Sequence, residues 1–223
     1  MKFYAIQQAE RVAEIFIFGD IYKWRWSESD TSAWSLVQEI KDLDVDVIHV
    51  HVDSYGGDVS EGWAIYNALR EHKARIVTYA DGYVASAAIY PFMAGDERIA
   101  SSVSAFFFHE VQVATEGNAD ELRRAADLAD LLTDTGINAL REAGVDGEKI
   151  ERMIREETWI TGQQAYDLGI ATEIRRRSDD DRRPAQSVRG LVLQKLLEPN
   201  QTKQKEPQEP APRRSLKDFL AQC

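Results

Sequence analysis

The sequence is poor in cysteine, in long apolar runs and, over most of its length, in proline. Its single cysteine is Cys223, so we expect neither an internal disulfide nor a cysteine metal site. The longest mostly apolar run, residues 83–95, is too short to span a bilayer, and the N-terminal segment lacks the apolar region of a signal peptide. We therefore expect a cytoplasmic protein without a membrane partner.

Basic residues are also scarce in most of the chain. Residues 1–174 carry 15 Lys and Arg against 31 Asp and Glu, whereas residues 175–223 carry 12 against 7 and hold five of the six prolines. An acidic surface argues against nucleic-acid binding, because phosphate contacts need concentrated Lys and Arg. The composition predicts a folded domain over 1–174 and a basic, proline-rich, largely disordered tail over 175–223, with short helical patches.

Segments with strand and helix character alternate along residues 1–174. Apolar and β-branched runs predict strands at 12–18, 46–52, 75–80, 97–100, 104–109 and 171–174. Amphipathic or capped segments predict helices at 30–43 with an Asp or Thr cap, at 59–71 burying Trp63, Ile65, Tyr66 and Leu69, and at 119–143, 146–155 and 161–169. This order predicts an α/β fold of βαβ units on a parallel sheet, and the apolar pattern of the long helix suits packing on a partner as readily as on its own body.

Ser86 lies in the stretch 82–95, GYVASAAIYPFMAG, where a predicted buried strand gives way to an Ala-rich segment of helix character. A serine there would occupy the first turn of a helix, near backbone N–H groups that can stabilise negative charge. Two interpretations are open at this point: a nucleophile, or a small residue that lets a helix pack closely on the sheet. Partner residues elsewhere in the chain must decide between them.

A serine nucleophile needs a base, and the chain offers four histidines. His49 and His51 alternate within a predicted strand, and His72 lies at a predicted helix C-terminus, so a structural role is favoured for these three. His109 ends an apolar strand where a loop begins, which is the end of the strands at which α/β folds build their sites. His109 is therefore the candidate base.

The segment 54–59, SYGGDV, supplies candidate donors for an oxyanion. Gly56 and Gly57 stand between a predicted strand and a predicted helix, where backbone amides can approach a ligand closely. A pair of glycines alone is weak evidence, because ordinary tight turns use glycine as well. Its weight comes from its combination with Ser86 and His109.

These motifs resemble those of the Clp protease proteolytic subunit, ClpP, within the broader ClpP/crotonase-like superfamily. Residues 54–57 (SYGG) are similar to the family's SPGG turn, residues 82–87 (GYVASA) to its GxxASM nucleophile motif, and His109 to its strand-end histidine. Glu157 precedes an aromatic residue and a short predicted helix ending in glycine, as the family's acidic residue does. The similarity extends over residues 12–174, with the motifs in family order.

The resemblance implies a ClpP/crotonase-like fold and a serine endopeptidase without cofactor or metal. Ser86 would attack the peptide carbonyl, His109 would transfer the proton, and Glu157 would orient the imidazole. The backbone amides of Gly57 and Ala87 would hold the oxyanion.

The resemblance also implies how substrate and partners bind. Tyr55, Gly56 and Asp58 would bind the strand of a polypeptide substrate. The long helix is similar to the family's handle, through which heptameric rings stack into a tetradecameric chamber. Further expected partners are a Clp-type ATPase or phage capsid and scaffold proteins.

Several departures from the family pattern are visible. Tyr55 replaces a proline, so the turn loses a locked φ angle. Glu157 stands where Asp is usual, which leaves Glu156 and Asp167 as alternative orienting groups, and Ala87 replaces a bulkier residue. The extended polar tail resembles the layout of prophage proteins assigned to capsid (prohead) maturation.

Competing functions follow from these observations. The first hypothesis is a peptidase of phage head maturation, and its close variant is a housekeeping ATP-dependent Clp subunit that degrades unfolded proteins. A second is a catalytically silent structural relative, against which the three competent residues argue. A third is acyl-CoA chemistry on the crotonase branch, where Glu61 is the nearest acid/base candidate, although its place in a first helical turn suits dipole compensation better.

Overall fold

The computed structural model describes residues 4–22 and 32–175. The strands among them are β1 (Tyr4–Ala9), β2 (Val12–Phe18), β3 (Val47–Ser54), β4 (Arg75–Ala85), β5 (Glu97–Ser101), β6 (Ala105–Phe108), β7 (Thr158–Thr161) and β8 (Glu173–Arg175). The helices are α1 (Ala33–Asp42), α2 (Val59–Glu71), α3 (Ile89–Met93), α4 (Ala119–Glu142), α5 (Gly147–Arg155) and α6 (Gly162–Asp167), with a 3₁₀ turn at Ser86–Ala88. The predicted tail lies, from residue 176 onward, outside the described residues.

The strands form one sheet in which parallel pairing dominates. Their order is β1-β2-β3-β4-β5-β8, with β6 added beside β4 and β7 beside β6. Only the β1–β2 and β6–β7 pairs are antiparallel among these strands. The predicted α/β fold is confirmed, and the two antiparallel strands are additions to the predicted parallel sheet.

Strand β4 positions the site because its first part pairs with one strand and its last part with another. Its residues 77–80 pair with β5, and its residues 83–85 pair with β6. The sheet therefore divides beyond residue 80, and the chain leaves β4 at Ser86 beside the end of β6. This is the carboxyl end of parallel strands, where α/β folds place their ligands.

The core lies between the sheet and its covering helices. Alternate side chains of β2 and β3 point into it and are fully buried: Ala13, Ile15, Ile17, Ile48, Val50 and Val52. Burial of each Ile or Val side chain contributes about 1.5–3 kcal/mol. On α2, Ile65 and Leu69 are buried as predicted, whereas Trp63 and Tyr66 are only partly buried, because the buried stripe of a surface helix covers one side of it.

Several element boundaries differ from the predictions. Strands β1 and β7 were not predicted: β1 has only Tyr4 buried, and β7 is four residues long with only Ile160 buried. The strand predicted at 75–80 continues to Ala85, partly because the N–H of Tyr83 donates to Asp53 Oδ1 at 2.9 Å and so extends the link to β3. The helical segment begins at Ser86, so the predicted turn from strand into helix just before this residue is confirmed.

The caps of α1 and α4 show which side chains begin these helices. Helix α1 is capped by Ser32, which accepts from the N–H of Ser35, so the predicted Asp or Thr cap is wrong; residues 30 and 31 lie outside the described ranges. Helix α4 begins with a capping box between Asn118 and Glu121 and confirms the long predicted helix. Among the described helices, none is long and apolar enough to cross a membrane.

Candidate active site

Ser86 lies at the junction between β4 and the 3₁₀ turn, with a φ angle of +54°. A left-handed backbone at a non-glycine residue costs about 1–2 kcal/mol, so its surroundings must hold it in place. The flanking residues Ala85 and Ala87 are 1% and 2% exposed, and their burial fixes the turn. Backbone strain of this kind concentrates at functional sites.

The glycine turn lies directly against Ser86. A Cβ on Gly56 would lie 2.6 Å from the carbonyl oxygen of Ala85 and 2.7 Å from Ser86 Cβ, so only glycine permits this approach. The N–H of Gly56 donates to the hydroxyl of the buried Ser54 at 3.0 Å. Ser54 thus holds the turn in the shape that brings it to Ser86.

Gly57 is held from one side by the chain around Ile21. The N–H of Ile21 donates to the carbonyl of Gly56 at 2.7 Å, and the N–H of Asp58 donates to the carbonyl of Ile21 at 2.9 Å. Because the C=O of Gly56 and the N–H of Gly57 belong to the same trans peptide group and point in opposite directions, the N–H of Gly57 points away from Ile21. Gly57 lines the same cleft as Ser86 and Ala87. Ser86 and Ala87 begin a helical turn, so their N–H groups have no acceptor within that turn.

His109 follows the last residue of β6 and contacts Ser86 directly. Its Nε2 lies 2.7 Å from Ser86 Oγ. The parallel pairing of β4 with β6 sets Ala85 beside Phe107 and so brings the two strand ends together. When the hydroxyl of Ser86 donates to Nε2, the imidazole proton lies on Nδ1, and among the described residues buried Nδ1 has no hydrogen-bond partner.

The other three histidines bond elsewhere. His51 Nδ1 lies 2.6 Å from Asp81 Oδ2, and the Tyr79 hydroxyl lies 2.9 Å from His49 Nδ1. His72 accepts at Nδ1 from the N–H of Ala74. Of the four histidines in the chain, His109 alone contacts Ser86.

The structure does not join Glu157 to His109. Glu157 follows α5 with a φ angle of +49°, its N–H donates to the carbonyl of Ile154, and its side chain is exposed. The β6–β7 register pairs Phe108 with Thr158, so one further step along this ladder would set His109 opposite Glu157. The two backbones are therefore neighbours, while the predicted carboxylate–imidazole bond is absent from the described contacts.

Neither alternative orienting group makes that bond. Glu156 is the exposed C-cap of α5, and the exposed Asp167, at the end of α6, accepts from the side-chain amide of Gln163 at 3.0 Å. His109 Nδ1 therefore lacks a carboxylate from any of the three acidic candidates in the described contacts.

A cleft of about 500 Å³ opens beside Ser86 and His109. Its remaining wall is largely apolar and includes Val59, Ile89, Val111, Leu132, Leu140 and Ile154. A cleft with an apolar wall and a few convergent polar groups is the usual form of a ligand site. Within the described residues, no group of three or more His, Cys, Asp or Glu side chains is placed to hold a metal.

Of the residues predicted to bind the substrate strand, Asp58 lines the cleft and Gly56 packs against Ser86. Tyr55 is 61% exposed and its ring stacks on Tyr83 at 4.7 Å. Asp58 caps α2, where its Oδ1 accepts from the N–H of Ser60 at 2.9 Å. Asp58 therefore has a structural role that the sequence analysis did not assign.

Sequence reasoning also missed the aromatic side chains that adjoin the site. Phe107 stacks on His109 with ring centroids 5.2 Å apart, and Trp159 stacks on Phe107 at 4.5 Å. The signal available in the sequence was the two-residue spacing of Phe107 and His109, which places both on one side of a strand. The partner Trp159 could be found only from the register of β7.

Comparison with known proteins gives a consistent set of likenesses. Residues 4–178 match the family model Clp protease. The chain is 31% identical over 138 residues to ATP-dependent Clp protease proteolytic subunit 2 of Treponema pallidum, covering 59% of this chain and 68% of that protein. The corresponding values for the Treponema denticola protein of the same name are 26% over 136 residues, 60% and 68%.

The fold has a counterpart among solved structures. A mutant of ClpP1 from Listeria monocytogenes matches with a TM-score of 0.61 and 23% sequence identity, covering 74% of this chain and 92% of that one. At this identity the likeness bears on the fold, which it supports over most of the described residues.

Proposed function

The chain belongs to the Clp protease family, and from this premise we propose that it is a serine endopeptidase with Ser86 as nucleophile and His109 as general base. Family membership implies hydrolysis of peptide bonds. The assignment of residues is carried by one observation, the 2.7 Å distance between Ser86 Oγ and His109 Nε2.

In the proposed reaction, Ser86 Oγ attacks the scissile carbonyl while His109 Nε2 takes the hydroxyl proton and then gives it to the leaving amine. Water, deprotonated by the same imidazole, hydrolyses the acyl-enzyme and restores the serine. The N–H groups of Gly57 and Ala87 stabilise the negative charge on the carbonyl oxygen, and each such donor lowers the barrier by roughly 3 kcal/mol.

Glu157 is the proposed orienting group, although its carboxylate is exposed in the described conformation. The β6–β7 register supports this role, since it places the Glu157 backbone next to that of His109. A change of side-chain rotamer would bring the carboxylate toward Nδ1, the buried atom that lacks an acceptor among the described residues. Catalytic hydrogen bonds that are open in a free enzyme often form only with substrate bound.

The proposed substrate is an extended polypeptide. It would lie along Tyr55, Gly56 and Asp58, with the scissile carbonyl between Ser86 and Gly57. The apolar wall of the cleft favours an apolar side chain next to the scissile bond.

Assembly into homo-oligomeric rings, heptameric and stacked in pairs, is part of the proposal. Helix α4 is 24 residues long, and its Leu122, Leu128 and Leu131 are 46%, 48% and 61% exposed. Exposed leucines on one long helix support its use as an interface. The partner proposed for this helix is a second copy of the chain.

The biological setting we propose is phage capsid (prohead) maturation, on the strength of the long basic tail, with capsid or scaffold proteins as substrates. The named relatives support a second candidate, an ATP-dependent Clp proteolytic subunit served by a Clp-type ATPase. The third candidate is a catalytically silent structural subunit. It is supported by His109 Nδ1, which has no hydrogen-bond partner among the described residues.

Covalent labelling with a fluorophosphonate probe tests the nucleophile assignment. Wild type should be labelled and Ser86→Ala should not, while Ser101→Ala on β5, a serine away from the cleft, should be labelled like wild type. Equal labelling of wild type and Ser86→Ala would exclude Ser86. An intact ring that neither labels nor cleaves unstructured peptides would establish the silent subunit.

A further inference from the structure

A continuous series of aromatic rings connects the glycine turn to the general base. We name it the aromatic stack: Tyr55, Tyr83, Trp159, Phe107 and His109. The ring centroids of successive members lie 4.7, 5.9, 4.5 and 5.2 Å apart. Pairs at these separations are within the attractive range for stacked and edge-to-face aromatic rings.

The sheet register builds this stack. Phe107 and His109 are two residues apart at the end of β6, so their side chains lie on the same side. Trp159 of β7 is directly opposite Phe107 in the antiparallel ladder. Tyr83 of β4 pairs with Ala105, one alternate position before Phe107, and its ring meets the edge of Trp159.

His109 depends on this contact because its ring has few other fixed partners. Nε2 bonds Ser86, while buried Nδ1 has no hydrogen-bond partner among the described residues. A single hydrogen bond to Nε2 does not by itself fix the plane of the imidazole ring. The Phe107 ring, inclined by only 19° to the imidazole, restricts that rotation, and the Trp159 ring supports Phe107 at 18°.

We propose that Trp159 is a positioning residue, which acts through Phe107 to hold the His109 imidazole in the plane from which Nε2 faces Ser86. The inference rests on the proposed serine peptidase function and deepens it. Trp159 is 49% exposed, so its ring does not owe its place to burial in the core. A direct contact with substrate is the competing role, and kinetics separate the two.

The test compares Trp159→Leu, which removes the ring, with Trp159→Phe, which keeps one. Hydrolysis of an unstructured peptide should show kcat reduced about three- to tenfold in Trp159→Leu with KM unchanged, and most of kcat restored in Trp159→Phe. The fluorophosphonate labelling rate should fall in parallel. The control Trp34→Leu, at a 68% exposed tryptophan on α1, should match wild type.

Each other outcome has a defined meaning. A rise in KM at unchanged kcat would identify Trp159 as a substrate contact and overturn the proposal, as would wild-type kinetics in Trp159→Leu. If circular dichroism shows that Trp159→Leu fails to fold, the comparison of Trp159→Met with Trp159→Phe decides by the same criteria. Loss of the proposed function itself would appear differently, as absence of Ser86-dependent labelling in wild type.

Discussion

Gly56 packs against Ser86 so closely that an added methyl carbon would lie 2.7 Å from the serine Cβ. The turn is thus shaped around Ser86, the proposed nucleophile, and we predict that Gly56→Ala lowers both stability and labelling of Ser86. The left-handed backbone at φ +96° costs alanine about 1–2 kcal/mol, and the collision adds about 1–3 kcal/mol. Urea unfolding measures the sum.

Gly144→Ala is the matched control, because Gly144 has a φ angle of +92° and no atom within 4 Å of an added Cβ. Only the cost of the left-handed backbone applies at Gly144, so this variant should lose less stability than Gly56→Ala and keep full labelling of Ser86. Equal losses at Gly56 and Gly144 would mean that the contact with Ser86 is easily relieved.

The left-handed φ angle of Ser86 predicts a reversal of the usual ranking of glycine and alanine. Ser86→Gly should be more stable than Ser86→Ala by about 1 kcal/mol, since glycine adopts this backbone without steric cost. Both variants lack the proposed nucleophile and should be inactive. Chemical denaturation measures the difference, and at Ser101 in β5 the order should be opposite, with Ala the more stable.

The sequence could predict that Ser86 and His109 lie together because both follow strands, and parallel strands bring their carboxyl ends together. It could not predict the side-chain direction of Glu157. Spacing along a chain determines which backbones become neighbours, whereas a surface rotamer depends on local contacts and solvent. The backbone of Glu157 lies beside that of His109 at the end of the β6–β7 ladder, but its carboxylate makes no bond to the imidazole among the described contacts.

The aromatic stack was outside the reach of sequence analysis for a related reason. It crosses β4, β6 and β7, so recognising it requires the register of three strands. Strand β7 was not predicted at all, because four residues with one buried side chain give no measurable alternation. Without β7, Trp159 had no assigned neighbour.

Two variants of Asp58 distinguish its role as the N-cap of α2 from a contact with substrate. Its carboxylate caps α2, so Asp58→Ala should lower the free energy of unfolding by about 0.5–2 kcal/mol, whereas Asp58→Asn should preserve it. Urea unfolding of both variants, with peptide kinetics on Asp58→Asn, checks this. A raised KM in the still stable Asp58→Asn variant would assign Asp58 to the substrate strand as well.

His49 gives a pH dependence of stability that is independent of the active site. Burial lowers its pKa below the ordinary value of 6.5, and its Nδ1 lies 2.9 Å from the Tyr79 hydroxyl oxygen. As the pH falls below that value, the unfolded chain binds this proton first, so the contribution of His49 reduces stability. The stability of wild type relative to His49→Gln should therefore decline between about pH 7.5 and about pH 5; a constant difference would contradict the assignment.

Glu157 offers the sharpest test of the proposed triad, because its carboxylate must move to reach His109. Glu157→Gln should reduce kcat by roughly 10²–10⁴-fold, since an amide cannot stabilise the imidazolium. Glu157→Asp should retain more activity, and Glu156→Gln, at the neighbouring exposed C-cap, should resemble wild type. If Glu157→Gln and Glu156→Gln are equally active, His109 works without a carboxylate partner at this position, and its ring is then held by the aromatic stack alone.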